Sequence, residues 1–250
     1  PVPDVPDYTV RLEAARPWRR WIRPAVTIGG DYMLPEAAPL PLAQGLLAAE
    51  MGMNLQLALG GRRYLLLHAS AVERDGRAVL MSGESGAGKS TLAALLAASG
   101  WRFMGDEFAL IDPASGLVHA FPRAISLKNA AIEATRQRWP AARFGPLLKA
   151  TPKGDIRHMV PDARAIAAMD EPAVPTLILF PRFGFAPAIR AVAPSEAFVR
   201  LTQASTNYVA LGEAGFGTLT RLVAGVPAVA VDYPDGDAAI EQVEALWHGL

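Results

Sequence analysis

A glycine-rich segment in the first half of the chain matches the phosphate-binding pattern Gly-x4-Gly-Lys-Ser/Thr in full. The match and the threonine after it read Gly83-Glu84-Ser85-Gly86-Ala87-Gly88-Lys89-Ser90-Thr91. The apolar run 78–81 before the match predicts a buried strand, and the alanine- and leucine-rich run 91–98 after it predicts a helix. Strand, glycine loop and helix in this order are the context that the pattern requires, so the sequence predicts an α/β fold.

The residue types in this loop suit a nucleoside triphosphate bound together with Mg2+. Its glycines let the backbone turn where a Cβ atom would clash. The backbone N–H groups then point inward beside a helix N-terminus, which favours anions. Lys89 can reach the β and γ phosphates, and the Ser90 hydroxyl can hold Mg2+. We therefore predict that the segment from Gly83 to Thr91 binds ATP, with a chance match in a glycine-rich loop as the alternative.

Composition limits the classes of protein to which a chain of 250 residues can belong. The residues are 51% hydrophobic, which is enough for one large domain, alone or with a small appendage. Basic and acidic residues number 24 each, which gives no reason to expect a nucleic-acid partner. The lack of cysteine excludes disulfides and thiolate metal sites, and no apolar run approaches the ~20 residues of a membrane helix. The polar, proline-rich start is unlike a signal peptide, so we predict a cytoplasmic protein with no membrane partner.

The chain is predicted to have two parts. Residues 1–40 form an N-terminal extension that is partly extended, and residues 41–250 form the nucleotide-binding domain. Within the extension, the arginines and tryptophans of 16–23 predict a packed edge with solvated arginines; contact with a substrate or a membrane surface is the alternative. The proline- and alanine-rich run 35–41 predicts a connection, and the apolar run 42–59 after it predicts a helix.

The strands around the glycine loop predict a mixed sheet. The apolar run 63–72 predicts a strand, 74–76 a tight turn, and the next strand enters the loop, so a hairpin delivers the phosphate site. The runs 101–104 and 108–111 predict two more strands, with the polar Gly105-Asp106-Glu107 between them. The remaining predictions are helices at 130–140, 195–204, 217–224 and 237–247, strands at 176–180 and 228–231, and a loop rich in basic groups at 145–165.

Five motifs follow one another along the chain. They are His68-Ala69-Ser70-Ala71-Val72, the glycine loop, Gly105-Asp106-Glu107, Pro122-Arg123-x-x-Ser126-Leu127-Lys128-Asn129 and Thr151-x-Lys153-Gly154. Together they resemble the kinases related to HPr kinase/phosphorylase, and most of all the subgroup labelled HPr-kinase-related kinase A. The likeness runs from about residue 40 to the C-terminus. It implies a P-loop core with a mixed sheet, like that of the HPr kinase C-terminal domain and of phosphoenolpyruvate carboxykinase. It also implies ATP-dependent phosphorylation of a hydroxyl, commonly a serine in a protein or peptide, and assembly into a homo-oligomer.

The resemblance assigns roles to the acidic pair and to the histidine. Asp106 is the general base on the acceptor hydroxyl, and Glu107 holds Mg2+ with Ser90, directly or through water. Spacing alone allows the reverse, with Asp106 as the metal ligand and Glu107 as the base. His68, on the strand before the loop, is predicted to hydrogen-bond Asp106 or a phosphate; the alternative is a hydrogen-bonded histidine in the core.

Basic residues outside the loop complete the predicted site. Arg123 joins Lys89, Asp106 and His68 in the catalytic set, as a cation on the transferred group. Lys128 and Lys153 are predicted to bind the substrate, by neutralising that charge or by holding an acidic acceptor.

The sequence thus predicts an ATP- and Mg2+-dependent kinase that phosphorylates a serine-like hydroxyl of a protein or peptide. Three alternatives share the glycine loop. A small-molecule kinase would differ only in its acceptor pocket. An ATP-hydrolysing switch would transfer the phosphoryl group to water. A nucleotide-binding regulatory module without catalysis is the third, since Glu107 stands where HPr kinase has a second aspartate.

Overall fold

The computed structural model describes residues 7–33 and 37–250. Residues 1–6 and 34–36, which hold the proline-rich start and part of the predicted connection, lie outside the described residues. The chain divides into two compact units, one up to Arg62 and the other Arg63–Leu250. The predicted domain boundary after residue 40 stays a prediction. No helix in the described ranges combines the length and apolar character needed to cross a bilayer.

The first unit packs one helix on a small antiparallel sheet. Strand β1 (Val10–Ala14) pairs with β2 (Ala25–Gly30), and β3 (Leu40–Pro41) pairs with the other edge of β2. Helix α1 (Gly45–Gly60) follows and confirms the predicted helix. Gly52 brings α1 close to the sheet, because a Cβ there would lie 2.6 Å from Val10 Cγ1.

The turn between β1 and β2 corrects the prediction of a packed edge at 16–23. It contains a short 3-10 helix at Pro17–Arg20. The side chains of Trp18 and Trp21 are 52% and 75% exposed, so the aromatic residues of this turn do not pack. The prediction of a packed edge was wrong because tryptophan usually buries most of its surface, and here it does not.

The second unit alternates strands and helices. Its strands are β4 (Leu65–Leu67), β5 (Ala69–Arg74), β6 (Arg77–Ser82), β7 (Arg102–Gly105), β8 (Ala109–Ile111), β9 (Val118–His119), β10 (Ile125–Lys128), β11 (Phe144–Thr151), β12 (Gly154–Met159), β13 (Val174–Phe183), β14 (Ala188–Val192) and β15 (Ala228–Tyr233). Its helices are α2 (Lys89–Ala98), α3 (Ala130–Arg138), α4 (Ala163–Ala167), α5 (Pro194–Ala204), α6 (Tyr208–Leu211), α7 (Glu213–Gly225) and α8 (Gly236–His248). The predicted helices at 130–140, 195–204, 217–224 and 237–247 correspond to α3, α5, α7 and α8.

A six-stranded mixed sheet, in the order β14-β15-β13-β6-β5-β7, forms the centre of the second unit. Strand β6 is antiparallel to β5, as the hairpin predicted, and parallel to β13, which is parallel to β15. Side chains alternate along β6, so Val79 and Met81 pack with α2 and α8 while Ala78 and Leu80 pack with α5 and α7. The prediction of a mixed α/β fold is therefore confirmed.

Two predicted features are corrected beside this sheet. The single strand predicted at 63–72 is two strands, because the chain leaves one sheet and enters another at His68, whose backbone N–H donates to Ala204 O at 2.8 Å. The chain also changes sheets between β7 and β8, across 106–108, so β5 pairs with β7 and β4 with β8. The loop predicted at 145–165 is largely the β11–β12 hairpin, which β10 extends to a three-stranded sheet.

A buried ion pair joins the large sheet to the segment after α4. Arg102 Nε donates to Glu73 at 2.5 Å, and Arg102 Nη1 donates to the carbonyls of Ala168 and Glu171 at 2.6 and 3.0 Å. Burial alone would raise the pKa of Glu73, but the hydrogen bonds from Arg102 and from the Gly76 N–H outweigh it and lower that pKa. Glu73 therefore stabilises the fold in its charged form.

Replacing Glu73 with glutamine is expected to lower the free energy of unfolding by about 3 kcal/mol at pH 7, because Arg102 keeps its charge in the core without a counter-charge. In the wild type, the charged Glu73 contributes its full stabilisation above the ordinary glutamate pKa of 4.5. This stabilisation is lost as the pH falls through the lowered folded-state pKa of Glu73. The difference between the two proteins should therefore shrink below about pH 4 in urea denaturation. The exposed Glu241→Gln is the control; a loss no larger than the control's would contradict this role.

Candidate nucleotide-binding site

The glycine loop joins the end of β6 to the start of α2. Gly86 and Gly88 have φ angles of 88° and 98°, in the left-handed region that favours glycine. Gly88 precedes α2, and none of the described side chains caps the first turn of that helix. The first backbone N–H groups of α2 are therefore free to bind an anion, as the motif predicts.

Lys89 lies folded back into the loop. Its Nζ donates to the carbonyls of Gly83 and Glu84 at 2.8 and 3.0 Å, and the residue is only 7% exposed. Burial lowers the pKa of the Lys89 ammonium, and the charges of Asp106 and Glu107 oppose that shift. The ammonium is thus positioned inside the loop, where a phosphate chain could replace the two carbonyls as its partner.

Asp106 lies directly beside the loop. Its Oδ1 accepts hydrogen bonds from Ser90 Oγ at 2.9 Å and from Ser70 Oγ at 2.6 Å. The residue is 4% exposed, and its Oδ2 has no hydrogen-bond partner among the described residues. A buried carboxylate oxygen without a partner is unfavourable, so Oδ2 is available for a cation.

His68 and Glu107 face each other at the point where the chain changes sheets. His68 Nε2 lies 3.9 Å from Glu107 Oε2. Partial burial, helped by the charge of Lys89, lowers the pKa of His68 although Glu107 opposes the shift. The side chain of His68 is 47% exposed, so His68 is not a core histidine. The acidic residue that it contacts is Glu107, and not Asp106 as predicted.

One cleft of about 1190 Å³ opens over the loop and contains most of the predicted site. The predicted residues that line it are His68, Ser85, Gly86, Gly88, Lys89, Ser90, Thr91, Asp106, Glu107, Lys128 and Lys153. Gly83, Glu84 and Ala87 belong to the loop but do not line the cleft. Arg123 also lies outside the lining, and its guanidinium packs 5.1 Å from the centre of the Phe121 ring.

Several cleft residues escaped the sequence analysis. Phe183 and Tyr233 end β13 and β15, and Asp235–Asp237 begin α8. Because β13 and β15 run parallel to β6, all three strands end at the edge of the sheet where the loop lies. The carboxyl ends of the two predicted strands at 176–180 and 228–231 were the signal that could have located these residues.

The site has the composition expected for Mg2+ held partly by phosphate oxygens. No group of three or more His, Asp or Glu side chains in residues 7–33 and 37–250 is arranged to hold a metal by itself. Mg2+ usually takes one or two carboxylates and completes its shell with substrate phosphates and water. The Ser90 hydroxyl and the unpaired Oδ2 of Asp106 fit that mode of binding.

Comparisons with known proteins give a family-model match and similarities to solved structures. The model of the family described as SynChlorMet cassette protein ScmC matches residues 49–168. Among solved structures, the chain is similar to the HPr(Ser) kinase/phosphatase from Coxiella burnetii, with 15% identity and a TM-score of 0.34 over 74% of this chain and 94% of that chain. The curated proteins contain no match. The family match includes the glycine loop, the acidic pair and Lys153, and it ends before Phe183 and Tyr233.

Proposed function

We propose that this protein is an ATP- and Mg2+-dependent kinase that transfers the γ-phosphoryl group to a hydroxyl, namely a serine of a protein or peptide. The observation that carries the proposal is the position of Asp106. A buried carboxylate with one unpaired oxygen lies within hydrogen-bonding distance of Ser90, the loop residue expected beside Mg2+. Phosphoryl transfer needs this combination of phosphate grip, metal and nearby acid more than it needs covalent chemistry.

The phosphate chain lies on the N–H groups of the loop and of the first turn of α2 in this proposal. Lys89 exchanges its bonds to the Gly83 and Glu84 carbonyls for the β and γ phosphates. Ser90 and Asp106 would hold Mg2+, which would supply positive charge against the phosphates.

The hydrogen bond between Ser90 and Asp106 supports one assignment of roles within the acidic pair. Because Asp106 Oδ1 is hydrogen-bonded to Ser90, we place Asp106 on the metal side, which is the second of the two assignments that the sequence allowed. Glu107, in the cleft and 3.9 Å from His68 Nε2, is the base that takes the acceptor proton. As the new O–P bond forms, the bond from the γ phosphorus to the bridging oxygen breaks, and ADP leaves with that electron pair.

Two lysines support an acidic acceptor. Lys128 and Lys153 both line the cleft, and their charges help to lower the pKa of Lys89 and of His68, respectively. The volume of about 1190 Å³ exceeds the 300–1,000 Å³ typical of a small-ligand pocket. This extra space is suited to a nucleotide and an acceptor side chain together.

The test is transfer of label from [γ-32P]ATP with Mg2+ to serine peptides that carry acidic neighbours, with the matching alanine peptides as controls. Label on the serine peptides alone is the expected result. Label on a metabolite from cell extract would indicate a small-molecule kinase, and label released as free phosphate would indicate an ATP-hydrolysing switch. Tight ATP binding without any turnover would indicate a regulatory module, and each of these three outcomes would overturn the proposal.

A further inference from the structure

The hydroxyl of Tyr233 is an unexplained polar group at the edge of the cleft. Tyr233 is the last residue of β15 and is only 3% exposed. Its hydroxyl oxygen is buried and has no hydrogen-bond partner among the described residues. Buried tyrosine hydroxyls normally have a hydrogen-bond partner, so a bound ligand is a candidate partner for this hydroxyl.

The hydroxyl points at the glycine loop. A Cβ atom placed on Gly88 would lie 2.7 Å from the Tyr233 hydroxyl oxygen and 3.4 Å from Phe183 Cβ. Gly88 is the second glycine of the phosphate pattern and immediately precedes α2. The missing side chain at Gly88 therefore leaves room for the hydroxyl to reach the phosphate-binding side of the chain.

The position of the ring is well fixed. Tyr233 pairs with Phe183 in the parallel ladder of β13 and β15, and the two rings lie 6.2 Å apart. The carbonyl of Tyr233 accepts a hydrogen bond from the Gly184 N–H at 2.8 Å. A hydroxyl held in this way needs little further ordering when a ligand binds.

The electrostatic surroundings select the kind of partner. Burial raises the pKa of the Tyr233 hydroxyl well above its usual range, so the group stays protonated and can donate. The loop N–H groups and the start of α2 are donors too, so the complementary partner is an oxygen that carries negative charge. A phosphate oxygen carries this charge, whereas a nucleobase or a sugar does not.

We propose that the Tyr233 hydroxyl donates a hydrogen bond to a phosphate oxygen of the bound nucleotide, above Gly88. Tyr233 would then be a nucleotide-binding residue that lies far from the loop in the sequence and has no place in the phosphate motif. This inference rests on the proposed function, since it requires a nucleotide in the loop.

The test is Tyr233→Phe, which removes only the hydroxyl. The Kd should rise about 10-fold for ATP, for ADP and for inorganic tripolyphosphate, as expected for loss of one hydrogen bond to a charged group. The free variant should melt at the same temperature as the wild type or higher, because an unpaired buried hydroxyl is removed. Tyr208→Phe, outside the cleft lining, is the matched control and should leave all three Kd values unchanged.

Two results would overturn the inference while leaving the proposed function intact. The first is an unchanged Kd for all three ligands in Tyr233→Phe; a lower melting temperature of the free variant beside it would make the hydroxyl structural. The second is a weaker Kd for ATP with an unchanged Kd for tripolyphosphate, which would place the contact on the nucleoside. Failure of the wild-type protein to bind any of the ligands would instead refute the proposed function itself.

Discussion

Replacing Lys89 with alanine is expected to weaken ATP binding by about 100-fold, because two charge-assisted hydrogen bonds to phosphate would be lost at roughly 1.5 kcal/mol each. Lys89 is the only cation within the described part of the loop, and its Nζ already lies inside it, 2.8 Å from Gly83 O. Isothermal titration calorimetry with ATP measures the effect directly.

The matched control for this prediction is Lys149→Ala, which removes a lysine from the exposed part of β11 outside the cleft lining. It should bind ATP like the wild type. Circular dichroism should show that both variants are folded. Wild-type affinity in a folded Lys89→Ala protein would contradict the assignment of the loop as the nucleotide site.

Replacing Asp106 with asparagine is expected to reduce phosphoryl transfer by at least about 1,000-fold, since the metal that neutralises charge on the phosphates would lose its carboxylate ligand. The substitution preserves shape and the acceptor for Ser90 and Ser70 at Oδ1, so the fold should be retained. The affinity for ATP without Mg2+ should stay within a few-fold of wild type. The gain in affinity that Mg2+ gives the wild type should be lost.

The variant Glu107→Gln distinguishes the roles of the two carboxylates. If Glu107 is the base, this variant loses transfer but keeps the Mg2+-dependent gain in ATP affinity, unlike Asp106→Asn. Asp170→Asn, at an exposed position, is the control for both and should keep full activity. An Asp106→Asn protein that keeps the Mg2+ effect while losing transfer would reverse the assignment and make Asp106 the base.

The fold around the glycine loop was predictable because local signals agree there. The apolar run before the loop, the glycines and the helix formers after it each favour the same strand-loop-helix unit, and β6 and α2 form as predicted. The division of the predicted strand 63–72 into β4 and β5 at His68 was not predictable in the same way. The residues on both sides of it are apolar, and only pairing with β7 and β8, which follow α2 in the chain, decides which sheet each half joins.

The residues of the candidate site also differ in how well the sequence predicts them. The loop residues and the acidic pair were found because short motifs specify them. Ser70 and Tyr233 were not, because only tertiary contacts bring them to the site: Ser70 reaches Asp106 across paired strands, and Tyr233 reaches Gly88 from the end of β15. Arg123 was predicted from its motif, but its side chain packs on Phe121 outside the cleft lining.

The most direct test of the account is a calorimetric titration of the wild-type protein with ATP and with GTP, in the presence of Mg2+. We predict saturable heat for at least one nucleotide, with one site per chain, and an affinity that falls when Mg2+ is chelated. Absence of heat for both nucleotides, from a protein that is folded by circular dichroism, would contradict the central claim that the loop after β6 binds a nucleoside triphosphate.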